Sequence, residues 1–203
     1  DYILSKLNDK SKPEDCLVFY RPSFGRGGRW QVNFGEFDAI LASSENIYLV
    51  ESKWDNYSQN KNNNIIRKKQ QILRHEIFAW YYNKWNSLTF DKWEDFYSKF
   101  QVDFKKQFPA KEFVSSGTLL AQNMEFLLRM LKEHCEKKLF TCSEPQNVLL
   151  YFYNNVLDKE KNEIECDNVK FTVVSIDYSE YIKGNFIPLH KFKKDYNKIA
   201  LPG

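Results

Sequence analysis

Two short segments of alternating apolar residues, separated by a polar turn, occupy residues 33–54. The alternation predicts one strand over residues 36–42 and a second over residues 47–53, because successive side chains of a strand point to opposite faces. The residues between them, 43–46, are Ser, Ser, Glu and Asn, which favour a tight turn. We therefore expect a β-hairpin here, with the rest of the chain organised around it.

The same alternation assigns the side chains of each predicted strand to a face. In the first strand one face carries Phe37, Ala39 and Leu41, and the other carries Glu36, Asp38 and Ile40. In the second strand one face carries Ile47, Leu49, Glu51 and Lys53.

The predicted register brings two carboxylates together near the open end of the hairpin. With the turn centred on residues 44–45, Asp38 is opposite Glu51 and Glu36 is opposite Lys53. Directly opposed side chains have Cβ atoms about 5 Å apart, so the two carboxylates repel unless a cation lies between them or one is protonated. Slipping the register by one residue would separate the pair.

Carboxylates at this spacing predict a site for a hard divalent cation such as Mg²⁺, which prefers oxygen ligands. Such an ion can activate a water molecule and stabilise charge on a phosphodiester, and Lys53 would position that water or stabilise the transition state. The alternative is a half-buried hairpin with a surface salt bridge, which contributes little to stability.

This stretch resembles the core of the PD-(D/E)xK nuclease superfamily, which includes many restriction endonucleases and the archaeal Holliday-junction resolvases. The similar residues are Gly-Glu-Phe-Asp ending at Asp38, the hairpin turn, and Leu-Val-Glu-Ser-Lys ending at Lys53. Phe37 stands where the family motif has proline, although many members also lack it.

The resemblance implies catalytic roles for Asp38, Glu51 and Lys53. It implies that Asp38, Glu51 and the Ser52 carbonyl bind Mg²⁺, with Mn²⁺ as a substitute. It also implies further active-site residues, for which the candidates are Glu36, Gln71 and an upstream acid, either Glu14 or Asp15.

Residues 65–84 predict a helix after the hairpin. Its expected buried stripe consists of Ile65, Ile66, Ile72, Leu73, Ile77 and Trp80, and its expected polar face of Arg67, Gln70, Gln71 and Arg74. The run from Gln71 to His75 is similar to the Gln-x-x-x-Tyr pattern of one branch of the superfamily, with His75 in place of the tyrosine.

Basic residues beside the candidate site suggest contacts with a nucleic-acid backbone. They lie in a glycine-rich loop before the hairpin and on the predicted helix, and they are Arg26, Arg29, Arg67, Lys68 and Arg74. The alternative is a solvated connector and an ordinary amphipathic helix with a solvated basic face.

The remaining pattern predicts an α/β fold with a mixed central β-sheet flanked by helices. We expect helices over residues 91–108, with Asp91 to Glu94 as a capping box, and over residues 116–138, capped by Ser116. Residues 147–153 and 169–176 predict strands, with a long turn over residues 154–168 between them. The resemblance implies a restriction-endonuclease-like core with a helical insertion. We interpret residues 1–203 as one nuclease-like domain with its core at 14–85, a helical segment at 91–138 and closing strands at 147–176.

The whole-chain composition is compatible with this interpretation. The chain has 203 residues and a net charge of +3, which permits a nucleic-acid partner without requiring one. No apolar run approaches the length of a membrane span, and the four cysteines are expected to be thiols in a cytoplasmic protein. The expected function is a metal-dependent DNA endonuclease, with a homodimer as a possible assembly. The alternative is a non-catalytic nucleic-acid-binding or scaffold subunit with the same fold.

Overall fold

The computed structural model describes residues 2–24, 35–54, 69–138, 144–153, 163–166 and 169–177. Its helices are α1 (Tyr2–Lys6), α2 (Lys69–Asn86), α3 (Trp93–Gln107) and α4 (Leu119–Lys138). Its strands are β1 (Leu17–Tyr20), β2 (Ser23–Phe24), β3 (Gly35–Glu36), β4 (Ala39–Ala42), β5 (Ile47–Trp54), β6 (Gln146–Tyr153), β7 (Glu163–Cys166) and β8 (Val169–Asp177). None of these helices is long and apolar enough to cross a membrane.

The main sheet has the strand order β1-β4-β5-β6-β8-β7. The adjacent strands β5, β6 and β8 of this sheet run parallel to one another, and the other adjacent pairs are antiparallel. The apolar sequence of β6 is explained by its position between β5 and β8, because central parallel strands are buried on both faces. The predicted α/β class with a mixed central sheet and flanking helices is confirmed.

The two faces of β5 pack against different helices. Ile47 and Leu49 belong to a large core shared with α2, α3 and α4, whereas Tyr48 and Val50 pack in a smaller core with α1. The predicted assignment of Ile47 and Leu49 to one face is therefore confirmed. Glu51, two residues after Leu49, lies on the face covered by α2.

The large core is rich in aromatic side chains. The expected stripe of α3 is buried and consists of Trp93, Phe96, Phe100 and Phe104. The polar groups at the edge of this core are also paired, since Trp93 Nε1–H donates to the Val114 carbonyl and the Val114 N–H donates to the Tyr81 hydroxyl. These bonds fix the α3–α4 connection against α2.

The first strand of the predicted hairpin is broken into two. The β4–β5 register agrees with the prediction, pairing Ala42 with Ile47 and Ala39 with Val50. The ladder stops there, because the Phe37 N–H donates to the Pro22 carbonyl and the residues before it, in β3, pair with β2 instead. Phe37 consequently packs in the large core with Ile40, and the prediction that it shares a face with Ala39 and Leu41 is wrong.

Other predicted boundaries need correction. The long turn expected over residues 154–168 contains β7, which pairs with β8. The expected capping box of α3 does not form; Glu125 of α4 accepts the Trp93 N–H at 2.9 Å instead. The cap of α4 is Thr118 rather than Ser116, since the Thr118 hydroxyl accepts the Ala121 N–H.

Candidate active site

The open end of the β4–β5 hairpin meets the first turns of α2. β5 carries Glu51 and Lys53 towards its carboxyl end, and Asp38 precedes β4 directly. Asp38 donates its N–H to the Val50 carbonyl at 3.1 Å, which holds it beside β5. The structure thus brings all three residues predicted as catalytic to one end of the hairpin.

Glu51 is buried among cationic and polar side chains. Its side chain is 4% exposed, and Arg74 Nη2 lies 2.7 Å from Oε1. Its second oxygen, Oε2, lies 3.4 Å from the Gln71 amide nitrogen and 3.9 Å from Lys53 Nζ. Oε1 receives no hydrogen bond of good geometry among the described residues, so its contact with Arg74 is mainly an attraction of charges.

Arg74 is a buried partner of the candidate site and does not lie on a solvated face. Its side chain is 8% exposed, it donates to the Glu36 carbonyl, and its guanidinium carbon lies 5.2 Å from the Phe37 ring centroid. The placement of Arg74 on a solvent-facing polar face of the helix is therefore wrong, whereas its contact with DNA phosphates stays a prediction. The Glu51 carboxylate on β5 offsets part of the cost of burying this arginine, because an isolated buried charge costs more than one with a partner of opposite charge.

Gly35 makes room for the Arg74 guanidinium. A Cβ atom at this position would lie 2.9 Å from Arg74 Nη1, closer than such contacts permit. Its φ of +101° also lies in the region that side chains other than glycine rarely adopt. The backbone conformation thus favours glycine where the chain passes over the arginine.

Asp38 is held by β5 through Ser52. The Ser52 N–H and hydroxyl both donate to Asp38 Oδ2, at 2.7 Å and 2.8 Å. Within the described chain, these bonds leave Oδ1 without a donor. The two carboxylates therefore have different local partners, and the direct opposition of Asp38 and Glu51 in a ladder is not observed, since the ladder ends one residue earlier.

Glu36 occupies a different place from the one predicted. It lies in β3 opposite Ser23, and its Oε1 binds the Arg21 guanidinium at 2.6 Å to Nη2. The predicted opposition of Glu36 and Lys53 is therefore wrong. The break in the hairpin at Phe37 explains the change, because it transfers Glu36 to the β2–β3 pair.

The buried His75 and the half-buried Asn147 complete the polar set, and sequence reasoning did not assign them to the site. His75 Nδ1 lies 2.7 Å from Asn147 Oδ1, and its Nε2 lies 3.6 Å from Glu51 Oε1. The Asn147 amide nitrogen donates to the Lys170 carbonyl at 3.3 Å, so its oxygen is directed at His75 and Nδ1 carries the proton. The spacing from Gln71 to His75 was the available indication for the histidine, whereas Asn147 had none.

The other predicted residues are not part of this geometry. Arg26, Arg29, Arg67 and Lys68 lie outside the described residues. The upstream acid Asp15 binds Lys138 of α4 at 2.7 Å. That contact holds the pKa of Asp15 below its ordinary value, through a hydrogen bond and the charge of Lys138.

The described side chains offer few metal ligands for a site in which the protein supplies every ligand. In the ranges that the structure describes, no group of three or more His, Cys, Asp or Glu side chains is arranged to hold a metal ion. Two carboxylates and main-chain oxygens are nevertheless a usual protein contribution to a Mg²⁺ site, because this ion keeps waters and takes phosphate oxygens from its substrate.

Comparison with known proteins identifies no relative of the chain. No protein-family model, no curated protein and no solved structure matches it.

Proposed function

We propose that this protein is a metal-dependent endonuclease that hydrolyses phosphodiester bonds in DNA, built on a restriction-endonuclease-like core. The observation that supports this best is the gathering of Asp38, Glu51 and Lys53 at one end of a hairpin beside α2. Carboxylates can hold a hard cation there while a lysine meets the charge of a phosphate. Ligands of open α/β sheets also bind at the carboxyl ends of the strands, where Lys53 lies.

The donor set fits Mg²⁺, or Mn²⁺ in its place, through particular oxygens. Arg74 engages Oε1 of Glu51, so Oε2 is the oxygen assigned to the ion. Ser52 occupies Oδ2 of Asp38, so Oδ1 is assigned there, together with the Ser52 carbonyl. When bound, the ion would activate water and offset charge on the phosphodiester.

The neighbouring side chains orient this arrangement. The Gln71 amide lies 3.4 Å from Oε2 of Glu51 and helps to fix its direction. Arg74 holds the other oxygen and the Glu36 carbonyl, so it acts as a positioning residue for β3 and β5 together. The Lys53 ammonium, beside Oε2, offsets the charge that develops as the phosphorus is attacked.

The partner in this proposal is DNA. Its backbone contacts are assigned to Arg26, Arg29, Arg67 and Lys68. A homodimer would place two sites on the two strands of a duplex. Cysteines kept as thiols fit a cytoplasmic enzyme.

A second candidate is a non-catalytic nucleic-acid-binding or scaffold subunit that retains the fold. The observation in its favour is that each carboxylate has a structural partner: Arg74 for Glu51 and Ser52 for Asp38. Such pairs can persist for stability alone. This candidate requires no divalent-ion binding, so calorimetric titration with Mg²⁺ and Mn²⁺ separates it from the endonuclease.

The test of the endonuclease is cleavage by the wild type and by Asp38→Ala. Plasmid, linear duplex, single-stranded and four-way-junction DNA would be incubated with each protein in Mg²⁺ and in Mn²⁺. We expect Asp38→Ala to cleave at least about 100-fold more slowly, because it removes a carboxylate ligand of a hard cation. Asp38 is a better residue to substitute than Glu51, because removal of the Glu51 carboxylate also leaves the buried Arg74 without its ionic partner.

The matched control is Asp103→Ala, which removes a carboxylate paired with Lys106 on α3 instead. It should cleave at the wild-type rate. Cleavage by folded Asp38→Ala at the rate of the control would refute the site assignment. A wild type that binds DNA but neither cleaves it nor binds a divalent ion would establish the second candidate.

A further inference from the structure

Arg21 lies at a bend that connects the main sheet to the two-stranded β2–β3 sheet. The β1–β4 register before the bend and the β2–β3 register after it are continuous, which places Arg21 opposite Asp38. The Arg21 N–H accordingly donates to the Asp38 carbonyl at 3.0 Å. Arg21 is therefore the cross-strand neighbour of a proposed metal ligand.

The backbone of Arg21 is held in a strained conformation. Its φ of +48° lies in the left-handed region, which side chains other than glycine rarely adopt. The hydrogen bonds of the bend hold it there, because the Phe37 N–H also donates to the Pro22 carbonyl at 3.3 Å, directly beside the bond from Arg21 to Asp38. Strained residues of this kind concentrate at functional sites. The fold of the bend thus fixes Arg21 beside Asp38.

The Arg21 guanidinium group is exposed and keeps donors for a further partner. Its Nε and Nη2 lie 2.7 Å and 2.6 Å from a single oxygen of Glu36, Oε1. The side chain is 51% exposed, and Nη1 has no partner among the residues that the structure describes. A guanidinium group has N–H donors on each of its nitrogens, and its planar fork matches phosphate oxygens. Arg21 can therefore bind a phosphate while it keeps its contact with Glu36.

Arg21 and Lys53 lie on opposite sides of Asp38. The strand order places β4 between β1 and β5, so Asp38, directly before β4, lies between Arg21 after β1 and Lys53 on β5. Neighbouring strands are about 4.8 Å apart, so the backbones of the two cationic residues are separated by on the order of 10 Å. A nucleic-acid strand that crosses this edge of the sheet would meet both cations and pass over Asp38.

We propose that Arg21 binds a backbone phosphate of the substrate, next to the phosphodiester that Asp38 and Glu51 hold for cleavage. The substrate strand then runs across the ends of β5, β4 and β1, from Lys53 towards Arg21. This inference rests on the proposed function for the bond that is cut, but the binding that it predicts is measured without cleavage.

The test is DNA binding by Arg21→Gln. Binding of a labelled duplex of about 20 base pairs would be measured by fluorescence anisotropy in EDTA, between about 50 and 200 mM salt. We expect the Kd to rise about 10-fold, the lower end of what a hydrogen bond to a charged group contributes. The slope of log Kd against log salt concentration should fall by about 0.9, because one phosphate contact is lost. Arg21→Lys, which keeps the charge, should retain the wild-type slope.

The matched control is Arg129→Gln. Nε and Nη2 of Arg129 lie 3.1 Å and 2.8 Å from a single oxygen of Glu125, and the side chain is 42% exposed. This ion pair has the same form as that of Arg21, but Arg129 also donates to the Asp91 carbonyl, beyond the carboxyl end of α2, whereas the candidate site lies at the first turns of α2. Arg129→Gln should keep the wild-type Kd and slope.

A second variant guards against an effect on folding. Arg21→Gly removes the guanidinium group, and glycine adopts the left-handed backbone conformation without strain. It should show the same loss of affinity and the same fall in slope as Arg21→Gln.

The outcomes separate this proposal from the endonuclease. A wild-type slope in Arg21→Gln and Arg21→Gly would overturn the phosphate contact, even if the Kd rises, because Arg21 would then act only through the shape of the bend. An equal loss in Arg129→Gln would overturn it as well. A fall in slope that is specific to Arg21, in a protein that cleaves no DNA in Mg²⁺ or Mn²⁺, would keep the contact and overturn the endonuclease.

Discussion

The β4–β5 hairpin meets a buried carboxylate at each of its ends, and the two are bound in opposite ways. At the turn, Asp9 is 6% exposed and is surrounded by neutral donors. At the open end, Glu51 is 3% exposed and is surrounded by cations and amides. The contrast distinguishes a carboxylate held by neutral hydrogen-bond donors from one held by cations and an amide.

The three side-chain contacts described for Asp9 are all hydrogen bonds of good geometry. Its Oδ1 accepts the Ser11 N–H at 2.9 Å, and its Oδ2 accepts the Ser43 hydroxyl at 2.6 Å and the Tyr48 hydroxyl at 2.7 Å. Burial by itself raises the pKa of Asp9, but the bonds from Ser11, Ser43 and Tyr48 outweigh it and hold that pKa below its ordinary value. Burial and the bond to Asp9 also raise the pKa of the Tyr48 hydroxyl.

Within the described ranges, Glu51 has no such set of donors. Its Oε1 is near Arg74 and His75 without a well-aligned hydrogen bond, and its Oε2 has contacts at 3.4 Å and 3.9 Å. A buried polar atom that is only partly satisfied is costly, and such atoms concentrate at functional sites. Among the described residues, the carboxylate at the turn end is therefore fully hydrogen-bonded, whereas the one at the open end is only partly satisfied.

The sharpest test of this contrast is Glu51→Ala. We expect it to lower the free energy of unfolding by about 3–5 kcal/mol, because it leaves the Arg74 charge buried and unpaired. Urea denaturation followed by circular dichroism measures the loss. The double variant Glu51→Ala/Arg74→Met, which removes both charges, should recover most of it.

The double variant also separates stability from catalysis. It should regain stability and remain inactive, since the proposed ligand is still absent. If Glu51→Ala is as stable as the wild type, Arg74 is not a buried partner in solution and the contrast between the two ends fails.

A smaller effect, with a characteristic pH dependence, is expected for Asp9→Asn. It should lower the free energy of unfolding by about 2 kcal/mol at pH 7, because hydrogen bonds to a charged acceptor are stronger than those to a neutral one. The folded-state pKa of Asp9 is lowered, so its contribution is complete above the unfolded pKa of about 3.9. It is lost as the pH falls through the folded value.

Denaturation of the wild type and Asp9→Asn at pH 7 and at pH 3 measures this difference. The two proteins should differ less at pH 3 than at pH 7. A difference that stays constant or grows on acidification would mean that Asp9 does not hold the turn as a carboxylate. Cleavage by Asp9→Asn at pH 7 should match the wild type, since Asp9 is bound at the turn end.

Local patterns predicted the parts of the fold that local forces determine. The register that pairs Ala42 with Ile47 follows from alternation and from the turn residues, and the central position of β6 follows from its continuous apolar run. The stripe of α3 follows from helical spacing. Each of these features can be predicted from the residues of the element itself, without knowledge of its long-range contacts.

Long-range contacts decided the parts that the sequence did not predict. Helical spacing placed Arg74 beside Gln71 on a polar face, but its burial depends on a carboxylate that lies 23 positions earlier in the chain. The break at Phe37 depends likewise on the Pro22 carbonyl, and it moved Glu36 from Lys53 to Arg21. Of the candidate site, the sequence predicted that Asp38, Glu51 and Lys53 lie together. It did not predict the partner of Glu36 or the contacts that Arg74 and His75 make with Glu51.

The smallest change in stability is expected for Lys53→Ala, although its effect on turnover is large. The Lys53 side chain is 28% exposed and its Nζ lies 3.9 Å from Glu51 Oε2, so its removal should change the free energy of unfolding by less than about 1 kcal/mol. We expect turnover to fall about 100- to 1000-fold, because the ammonium group offsets charge present in the transition state. DNA binding should persist.

The Mg²⁺ affinity of Lys53→Ala shows whether Lys53 acts on the transition state or holds Glu51 in place. Oε2 is the Glu51 oxygen assigned to the divalent ion, and Lys53 is a positive charge beside it. Removing that charge takes away a repulsion, so calorimetry should show Mg²⁺ binding that is unchanged or tighter. The control is Lys105→Ala, which removes a surface lysine bound to Glu112 and should alter neither turnover nor affinity.

A loss of Mg²⁺ affinity in Lys53→Ala would mean that the lysine holds Glu51 in place as Arg74 does. The open end of the hairpin would then be a structural cluster like the turn end, and the mechanism proposed for it would be wrong.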